Sequence, residues 1–353
     1  MAYWRGLIEE YRSYLPVSDK TPVVSLKEGD TPLLYGSRIS EKLGNGLKVY
    51  FKFEGLNPTC SFKDRGMTMA ISKAVEEGSK AVICASTGNT SASAAAYSAR
   101  AGLSCAVLLP HGSIALGKLA QSMIYGAKVL AVEGSFDQAL ALTRELADKY
   151  PITMVNSNNR YRIEGQKTAA FEIVDTIGDA PEYHAIPVGN AGNITAYWKG
   201  YQEYKQLGKS TRLPRMCGFQ AAGAAPIVSG KVVENPHTIA TAIKIGNPYS
   251  WKSAEAARDG SKGLIEAVTD EEILQAYEML ASLEGIFCEP ASAASLAGVI
   301  KKNQEGYFTD GEKRIVCTLT GHGLKDPDTA VMRSNKPLVI KPEMGEILKA
   351  LGF

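Results

Sequence analysis

Residues 47–77 have the sequence LKVYFKFEGLNPTCSFKDRGMTMAISKAVEE, which combines a strand, a polar loop and a helix. The segment 47–53 alternates and is rich in β-branched and aromatic residues, which predicts a strand. The Asn-Pro pair at 57–58 breaks that pattern. Apolar residues then recur at helical spacing, so a helix is predicted over 61–77. A strand followed by a helix is the repeating unit of α/β folds.

Lys63 falls in the first turn of this predicted helix, for which Thr59 or Ser61 is the expected N-cap. The helix N-terminus carries partial positive charge, so the ammonium form of Lys63 is disfavoured and its pKa is expected to fall. A lysine with a lowered pKa suits Schiff-base chemistry. Because most lysines are solvated surface residues, Lys63 alone does not establish a function.

The same strand-helix alternation continues along the chain. Further strands are predicted at 81–85, 104–109, 128–132, 153–155, 184–188, 215–220, 264–268 and 314–319. Further helices are predicted over the first fifteen residues and at 89–101, 115–125, 136–149, 162–177, 193–207, 270–284 and 291–302. The short connections predict mostly parallel sheets covered by helices on both faces. Ligands of such sheets bind at the carboxyl ends of the strands.

Composition favours a two-domain protein that acts on small molecules. The chain of 353 residues is long for one compact domain. Its formal charge of +2, with no basic block, argues against nucleic acid or an anionic membrane as the main partner. The six cysteines are scattered without a Cys-x-x-Cys pair, and the four histidines show no ligand spacing, so we expect reduced thiols and no metal. With neither an export signal nor a membrane span indicated, a cytoplasmic location is expected.

Residues 189–193 are the clearest candidate for an anion site. They follow a predicted strand and precede a predicted helix. The two glycines let successive N–H groups point to one spot, and the helix adds the positive end of its dipole. The motif is neither a dinucleotide fingerprint nor a P-loop. A plain glycine turn remains the alternative.

Two other polar clusters lie at predicted strand-helix junctions. Residues 86–91 offer hydroxyls and an amide that suit a carboxylate or a phenolic oxygen, although they are also ordinary N-caps. Residues 156–162 place arginine beside amides, which suits a second anion because a guanidinium binds phosphate bidentately. Thr320 follows the last strong strand and could place a hydroxyl in the same cleft, where His322 is either a structural hydrogen-bonding group or a catalyst.

One cofactor requires all of these parts. Pyridoxal phosphate needs a lysine for its aldehyde, a phosphate cradle, a hydrogen bond to its phenolic oxygen and a partner for its ring nitrogen. Lys63, residues 189–193, Asn89 and Thr320 can supply these four interactions in turn. A neutral hydroxyl at the ring nitrogen would leave that nitrogen largely unprotonated, which would make Arg162 and Lys63 matter more.

At these residues the chain resembles the pyridoxal-phosphate enzymes of fold type II, the tryptophan synthase β-like family, and within it the threonine synthases. The resemblance lies in Ser-Phe-Lys-Asp-Arg-Gly at 61–66, Ser-Thr-Gly-Asn-Thr at 86–90 and Gly-Asn-Ala-Gly-Asn at 189–193. It implies two three-layer α/β domains with the cofactor in the cleft between them. The large domain would comprise 1–55 plus 157–353, and the small inserted domain 56–156. Cys60 departs from the family pattern, in which glycine is usual, and a stiffer loop is expected there.

The resemblance also implies a reaction, the conversion of O-phospho-L-homoserine and water to L-threonine and phosphate by a homodimer. Lys63 would carry the cofactor and move protons. The remaining expected cofactor-binding residues are Asn89, Gly189, Asn190, Ala191, Gly192, Asn193 and Thr320. The residues expected to bind the substrate are Ser86, Thr87, Asn89 and Thr90 at its carboxylate, and Asn156, Ser157, Arg162 and Asn190 at its phosphate.

Two alternatives stay open at this point. A threonine or serine dehydratase would share fold and cofactor but has no use for a second phosphate site. A non-catalytic sensor of amino acids or phosphate ligands would keep the anion cradles and would not need Lys63. Substrate tests separate the first, and visible absorbance that depends on Lys63 separates the second.

Overall fold

The computed structural model describes residues 3–111, 116–134, 136–308 and 311–353, and its strands form two sheets. The larger sheet has six strands in the order β1-β2-β10-β7-β8-β9. Its strands are β1 (Leu33–Tyr35), β2 (Leu47–Phe53), β7 (Tyr183–Pro187), β8 (Arg215–Ala221), β9 (Leu264–Val268) and β10 (Lys313–Leu319). Only the pairing of β1 with β2 is antiparallel among these described strands.

The smaller sheet has four strands in the order β5-β4-β3-β6, all parallel. These strands are β3 (Ala81–Cys84), β4 (Ser104–Pro110), β5 (Lys128–Val132) and β6 (Ile152–Met154). Every strand of this sheet therefore falls between residues 81 and 154. The domain boundaries at residues 56 and 156 stay a prediction.

Helices cover both faces of each sheet. They are α1 (Leu7–Glu10), α2 (Ser37–Leu43), α3 (Lys63–Glu76), α4 (Asn89–Ala101), α5 (Leu116–Ile124), α6 (Phe136–Lys149), α7 (Arg160–Ile177), α8 (Gly192–Gln206), α9 (Pro226–Ser229), α10 (Trp251–Gly260), α11 (Asp270–Glu284), α12 (Pro290–Gln304), α13 (Pro327–Arg333) and α14 (Met344–Leu351). One core of the large sheet includes α11 and α12, and the other includes α7, α8 and α10. The small sheet packs against α3, α4 and α5 on one face and α6 on the other. The mostly parallel α/β architecture is confirmed.

The N-terminal helix predicted over the first fifteen residues is wrong in extent. Within the described residues it consists of α1 and a short 3-10 helix at Arg12–Tyr14. Gly6 has a φ of 98°, which is not helical, and Tyr11 interrupts the helix with a φ of −115° and a ψ of 23°. Residues 1–2, and residue 115 at the predicted start of the helix 115–125, lie outside the described residues.

The carboxyl ends of the parallel strands carry the predicted polar clusters. Residue 86 lies two residues beyond β3, and residue 156 two residues beyond its neighbour β6. In the large sheet, residue 189 follows β7 and residue 320 follows the adjacent β10. This is the edge at which open parallel sheets bind ligands.

Candidate active site

Lys63 and Arg162 are brought together by close packing between α3 and α7. A Cβ added to Gly165 would lie 1.8 Å from the carbonyl oxygen of Arg65, and one added to Gly66 would lie 2.9 Å from that of Arg162. Only glycines allow the two backbones to approach so closely. The first turns of both helices, which carry Lys63 and Arg162, are thereby held side by side.

Lys63 is the first residue of α3 and is half-buried. Burial, and to a smaller extent the positive charge of Arg162, lower the pKa of its ammonium group to about 7, although Glu289 opposes the shift. A substantial fraction of Lys63 is therefore neutral near pH 7, the form in which a lysine acts as nucleophile or base. The fall in pKa expected from the sequence has burial as its main physical cause.

The loop before Lys63 is fixed by hydrogen bonds on two sides. Asp64 accepts bonds from the backbone N–H and hydroxyl of Thr59, at 2.6 and 2.5 Å, and from the hydroxyl of Ser93, at 2.6 Å. On the other side, the N–H of Phe62 donates to the carbonyl of Thr320 at 3.0 Å. The N-cap predicted at Thr59 or Ser61 is wrong, because Phe62 occupies that position without a side-chain cap. Thr59 is engaged by Asp64, and the hydroxyl of Ser61 accepts from the N–H of Lys63 at 3.4 Å.

Residues 189–193 form a concave backbone turn at the start of α8. Ala191 has a φ of 65° and a ψ of −2°, the left-handed conformation that points successive N–H groups toward one spot. A Cβ on Gly189 would lie 2.9 Å from the Cα of Ile243, so the turn has no room for a side chain there. The amide of Asn193 is buried, and neither its nitrogen nor its oxygen has a hydrogen-bond partner among the described residues.

Arg162 is a buried cation for which the described part of the chain offers no counter-ion. Its side chain is 2% exposed, its Nη1 donates to the carbonyl of Val155 at 3.3 Å, and its Nε has no partner among the described residues. Burial lowers the pKa of the guanidinium to about 10, so it is still charged at neutral pH. A buried charge that no carboxylate neutralises is expected where an anionic ligand binds.

Asn156, Ser157 and Asn190 join the neighbouring loops to one another. The side chain of Asn156 both donates to and accepts from the backbone of Ala85, each at 3.0 Å, and its other N–H has no partner among the residues that the structure describes. Asn190 donates to the hydroxyl of Ser157 at 2.6 Å and accepts from the N–H of Tyr249 at 2.6 Å. The structure thus brings the predicted phosphate-binding residues to the start of α7 and α8.

Residues 86–90 form the entry to α4. The hydroxyl of Ser86 accepts a bond from the N–H of Gly88 at 3.3 Å. Within the described part of the chain, the side chains of Thr87 and Thr90 make no hydrogen bond; Thr87 is half-buried and Thr90 is buried. These hydroxyls and the start of α4 offer donors that suit a carboxylate.

Glu289 is a residue of the site that sequence reasoning missed. It is 4% exposed and immediately precedes α12. Its two carboxylate oxygens accept bonds from the amide of Asn89, at 3.0 Å, and from the hydroxyl of Thr320, at 3.1 Å. Asn89 and Thr320 are the residues expected at the phenolic oxygen and ring nitrogen of the cofactor. A carboxylate before a proline at a helix start is the local signal that could have indicated it.

A second missed feature is a buried ion network centred on Arg65, which lies in the same helical turn as Lys63. The guanidinium of Arg65 donates to Glu54 at 2.6 and 2.8 Å and to Glu172 at 2.5 and 2.7 Å. The ammonium group of Lys52 forms a further ion pair with Glu172, at 2.7 Å. Burial alone would raise the pKa of Glu172, but Arg65 and Lys52 lower it to about 2. The network ties α3 to α7 and β2.

His184 and His322 both make contacts typical of structural residues. His184 is buried between the hydroxyls of Tyr201 and Thr318, each 2.8 Å away, and burial lowers its pKa to about 3. His322 accepts from the N–H of Leu324 at 3.2 Å and stacks on Phe53. Among the described residues, no group of His, Cys, Asp and Glu could hold a metal ion, and no helix has the length and apolar character needed to cross a membrane.

A surface cavity of about 850 Å³ lies elsewhere, between the N-terminal segment and helices α7 and α8. Tyr14, Lys73, Tyr161 and Gln206 are among the residues that line it. None of the predicted site residues lines this cavity. The cavity is therefore separate from the strand-end cluster.

Comparison with known proteins agrees with this geometry. Residues 24–321 match the family model described as pyridoxal-phosphate dependent enzyme. A threonine synthase from Synechocystis is 59% identical over 99% of this chain and 91% of its own, and one from Methanocaldococcus jannaschii is 52% identical over 97% and 86%. Maize serine racemase, 18% identical, superposes with a TM-score of 0.74 over 99% of this chain and 98% of its own, which shows the shared fold.

The chain belongs to the pyridoxal-phosphate dependent enzymes of fold type II. The residues present fit that cofactor, because the left-handed turn at Ala191 and the amide of Asn193, which has no partner within the described ranges, provide an anion cradle at the same sheet edge as Thr320. Within the family it is one of the threonine synthases. The expected cofactor, the lyase class and the role in threonine biosynthesis are confirmed.

Proposed function

We propose that the protein converts O-phospho-L-homoserine and water to L-threonine and phosphate, and that the residues described above carry out this reaction. The observation that carries the substrate proposal is Arg162. The guanidinium of Arg162 is buried with no counter-ion among the described residues, and Ser157, in the segment that leads into the same helix, is bonded to Asn190. Together these groups would supply a second anion site in addition to the cradle at Ala191. A substrate that carries a phosphate, bound beside a cofactor that carries another, accounts for both anion sites.

The two ends of the substrate would be held by different loops. Ser86, Thr87, Asn89 and Thr90 lie at the start of α4 and would bind the carboxylate, where the helix dipole favours negative charge. Arg162, Ser157, Asn190 and the free N–H of Asn156 would bind the phosphate. The reacting carbons would then lie between these loops, within reach of Lys63.

Lys63 would move the protons. When bound, pyridoxal phosphate supplies an aldehyde that Lys63 captures and an electron-poor ring that withdraws charge from the substrate Cα. The neutral amine of Lys63, favoured by its pKa of about 7, would take protons from Cα and Cβ. The Cγ–O bond breaks with release of phosphate, Cγ gains a proton, and water adds its hydroxyl at Cβ. Lys63 returns a proton to Cα.

Arg162 has a double role in this proposal. It would neutralise the leaving phosphate as charge develops on the departing oxygen. Its positive charge also lowers the pKa of Lys63, which keeps the amine available as a base. Binding of the phosphate would partly cancel this effect, so the basicity of Lys63 would rise once the substrate is in place.

The decisive experiment is phosphate release from O-phospho-L-homoserine by the pure protein, with product analysis and the visible absorbance of the lysine-bound cofactor. We expect equal amounts of threonine and phosphate, and loss of the absorbance in Lys63→Ala. Formation of 2-oxobutyrate or pyruvate without phosphate from threonine or serine, as the main activity, would assign a dehydratase instead. A colourless protein that binds amino acids or phosphate without turnover would assign a sensor.

A homodimer in the cytoplasm is part of the proposal. Helix α14 exposes Met344, Ile347 and Leu351 on one face, an apolar surface that a second copy could cover. All six cysteines are free thiols, which suits a reducing compartment. Light scattering of the purified protein should give twice the mass of 37.8 kDa, and a monomer at assay concentration would contradict the dimer. Fractionation of the cells that make the protein tests the compartment.

A further inference from the structure

The two asparagines proposed at the substrate phosphate have their amide oxygens held by backbone N–H groups. The N–H of Tyr249 donates to Oδ1 of Asn190 at 2.6 Å, and that of Ala85 donates to Oδ1 of Asn156 at 3.0 Å. A backbone N–H can only donate, so these bonds decide which end of each amide is the oxygen. In both residues the oxygen is therefore turned to the backbone, and the N–H that is left for a ligand belongs to the NH2 group.

The hydroxyl of Ser157 is oriented by the same set of bonds. Nδ2 of Asn190 donates to the oxygen of Ser157 at 2.6 Å, so this oxygen is the acceptor and its own proton is not used in the bond. No group in the described part of the chain accepts that proton. The N–H of Tyr249 thus fixes the amide of Asn190, and this amide fixes the hydroxyl of Ser157.

Arg162 adds donors of the same kind. A guanidinium carries several N–H groups and no acceptor. Nη1 of Arg162 donates to the carbonyl of Val155, and its Nε has no partner within the described ranges. The side chains proposed at the substrate phosphate therefore offer it N–H and O–H groups, with both amide oxygens already engaged elsewhere.

The segment that carries Tyr249 packs on the cofactor cradle. A Cβ on Gly189 would lie 2.9 Å from the Cα of Ile243, and the N–H of Ser250 donates to the carbonyl of Asn190 at 3.2 Å. The side chain of Tyr249 is 59% exposed, so the contact with Asn190 is made by its main chain. The backbone N–H of Tyr249 is thereby held in place beside Asn190.

The charged and titratable groups around Arg162 come from three other elements. Lys63 on α3 and Cys84 on β3 interact with Arg162, and Glu289, before α12, faces Lys63. Burial raises the pKa of the Cys84 thiol, which is therefore neutral. The cations Arg162 and Lys63 favour a bound anion, while Glu289 and the phosphate of the cofactor would oppose one. The direction of the donors adds a preference that does not depend on this balance of charge.

We propose that the site selects the fully ionised phosphate of O-phospho-L-homoserine, and that Tyr249 is a positioning residue that enforces this selection through its backbone N–H. A phosphate that keeps a proton has one oxygen fewer to accept with, and its P–OH group faces donors. A fully ionised phosphate has acceptor oxygens alone, so it satisfies every donor. The inference rests on the proposed function, because it takes Asn156, Ser157, Arg162 and Asn190 as the phosphate site.

The test measures the protonation of a bound ligand by ³¹P NMR. The probe is the phosphonate isostere of O-phospho-L-homoserine, in which a methylene replaces the ester oxygen so that no phosphate can leave. Holoenzyme saturated with the probe is titrated, and the pKa of the bound phosphonate is compared with that of the free probe. We expect the bound pKa to be lower by at least about 1 unit, because the protonated form loses a hydrogen bond from the site. An equal or higher pKa in the bound state would overturn the inference.

The charge of Arg162 by itself lowers the pKa of a bound phosphonate, so the role of Tyr249 is tested in variants that keep Arg162. Tyr249→Pro removes the backbone N–H, which allows the amide of Asn190 to turn its oxygen to the ligand. The bound pKa should rise by about 0.4 to 1.1 units, the worth of one neutral hydrogen bond. Tyr249→Ala keeps the N–H and is the matched control, with the wild-type value expected. Equal values in the two variants would overturn the role of Tyr249.

Ser157 gives a second test that leaves the main chain of Tyr249 unchanged. Ser157→Ala removes the hydroxyl that Asn190 orients and should also raise the bound pKa, whereas Ser157→Thr keeps the hydroxyl and should preserve the wild-type value. An unchanged pKa in Ser157→Ala would overturn the inference even if Tyr249→Pro does not fold, while phosphate release from O-phospho-L-homoserine would still stand for the proposed function. A wild-type holoenzyme that neither binds the probe nor releases phosphate would overturn both.

Discussion

Arg65 and Arg162 are two buried arginines on helices that touch, and their surroundings are opposite. Arg65 is 0% exposed and meets Glu54, Glu172, Thr31 and Thr168. Arg162 is 2% exposed and donates only to one carbonyl among the described residues. The pKa of Arg65 is raised by its carboxylates although burial opposes the rise, and that of Arg162 is lowered to about 10 by burial.

The difference separates a charge that holds the fold from one that can bind a ligand. A buried arginine surrounded by carboxylates has its N–H groups already engaged. Its removal leaves those carboxylates buried without a cation, which destabilises the fold. A buried arginine without carboxylates is itself an uncompensated charge, which destabilises the fold until an anion binds beside it. The exposed fractions of Arg65 and Arg162 are nearly equal, so burial alone does not distinguish the two roles. The following changes test the distinction.

Replacing Arg65 by Met should give the largest effect. Among the described residues it leaves the buried carboxylate of Glu54 without a cation and that of Glu172 with Lys52 alone, and removal of one partner from a buried ion pair costs about 3 to 5 kcal/mol. Urea unfolding of the apoprotein measures it. Lys149→Met, which removes an exposed pair with Glu145, is the control and should change little. A similar loss in both variants would contradict the structural role of Arg65.

Arg162→Met should act on catalysis. Removing the guanidinium deletes charged hydrogen bonds to the substrate phosphate, worth about 1.5 to 3 kcal/mol, or about 10- to 150-fold in kcat/KM for O-phospho-L-homoserine. The stability of the apoprotein should not fall, because no counter-ion is left unpaired among the described residues. Equal losses of cofactor affinity and of turnover would show that Arg162 does not serve the substrate phosphate.

The same variant should shift a pH profile. Arg162 lowers the pKa of Lys63, so its removal raises that pKa from about 7 toward the ordinary value for lysine. Only the neutral amine captures the aldehyde of the cofactor, so the rate of recombination of apoprotein with pyridoxal phosphate should rise through a higher pH in Arg162→Met than in the wild type. A midpoint at the same or lower pH would show that the two charges are not coupled.

Thr168→Val should have the smallest effect. It removes one hydrogen bond to Arg65, of length 3.2 Å, while both carboxylates remain. A loss of about 0.5 to 1.5 kcal/mol in the unfolding free energy is expected. Thr168→Ser keeps the hydroxyl and serves as the control. A loss as large as that of Arg65→Met would mean that the hydroxyl, and not the charges, holds the network together.

Much of the fold and of the site follows from local sequence. Periodicity located β5, β9, α4, α6 and α11 with their observed bounds, because each is a short amphipathic or β-branched run with clear breaks. The polar clusters at 86, 156, 189 and 320 were found because strand ends in parallel sheets converge. Helix α10 and the short helices α2, α9, α13 and α14 were not predicted. The four short ones have at most eight residues each, too few for a periodic pattern to stand out, although the apolar residues of α14 do recur at helical spacing.

The interactions that explain the chemistry could not be found in this way. Glu289 contacts Asn89 across 200 residues of sequence, and Arg65 contacts Glu172 across 107. Nothing near Arg65 and Arg162 in the sequence shows that one has carboxylates around it and the other has none. Compensation of a buried charge is a property of the packed fold, and local patterns carry no information about it.

The side chain of Asn156 bonds to both backbone atoms of Ala85, so a side chain continues the pairing of β3 with β6 past the ends of both strands. The loop that would bind the carboxylate and the residues at 156–157 that would bind the phosphate are thereby tied to each other before any ligand binds. Such a site selects by chain length. O-phospho-L-serine is one methylene shorter than O-phospho-L-homoserine. We expect it to bind through its carboxylate or its phosphate but not through both, so that the donors at the other end stay hydrated.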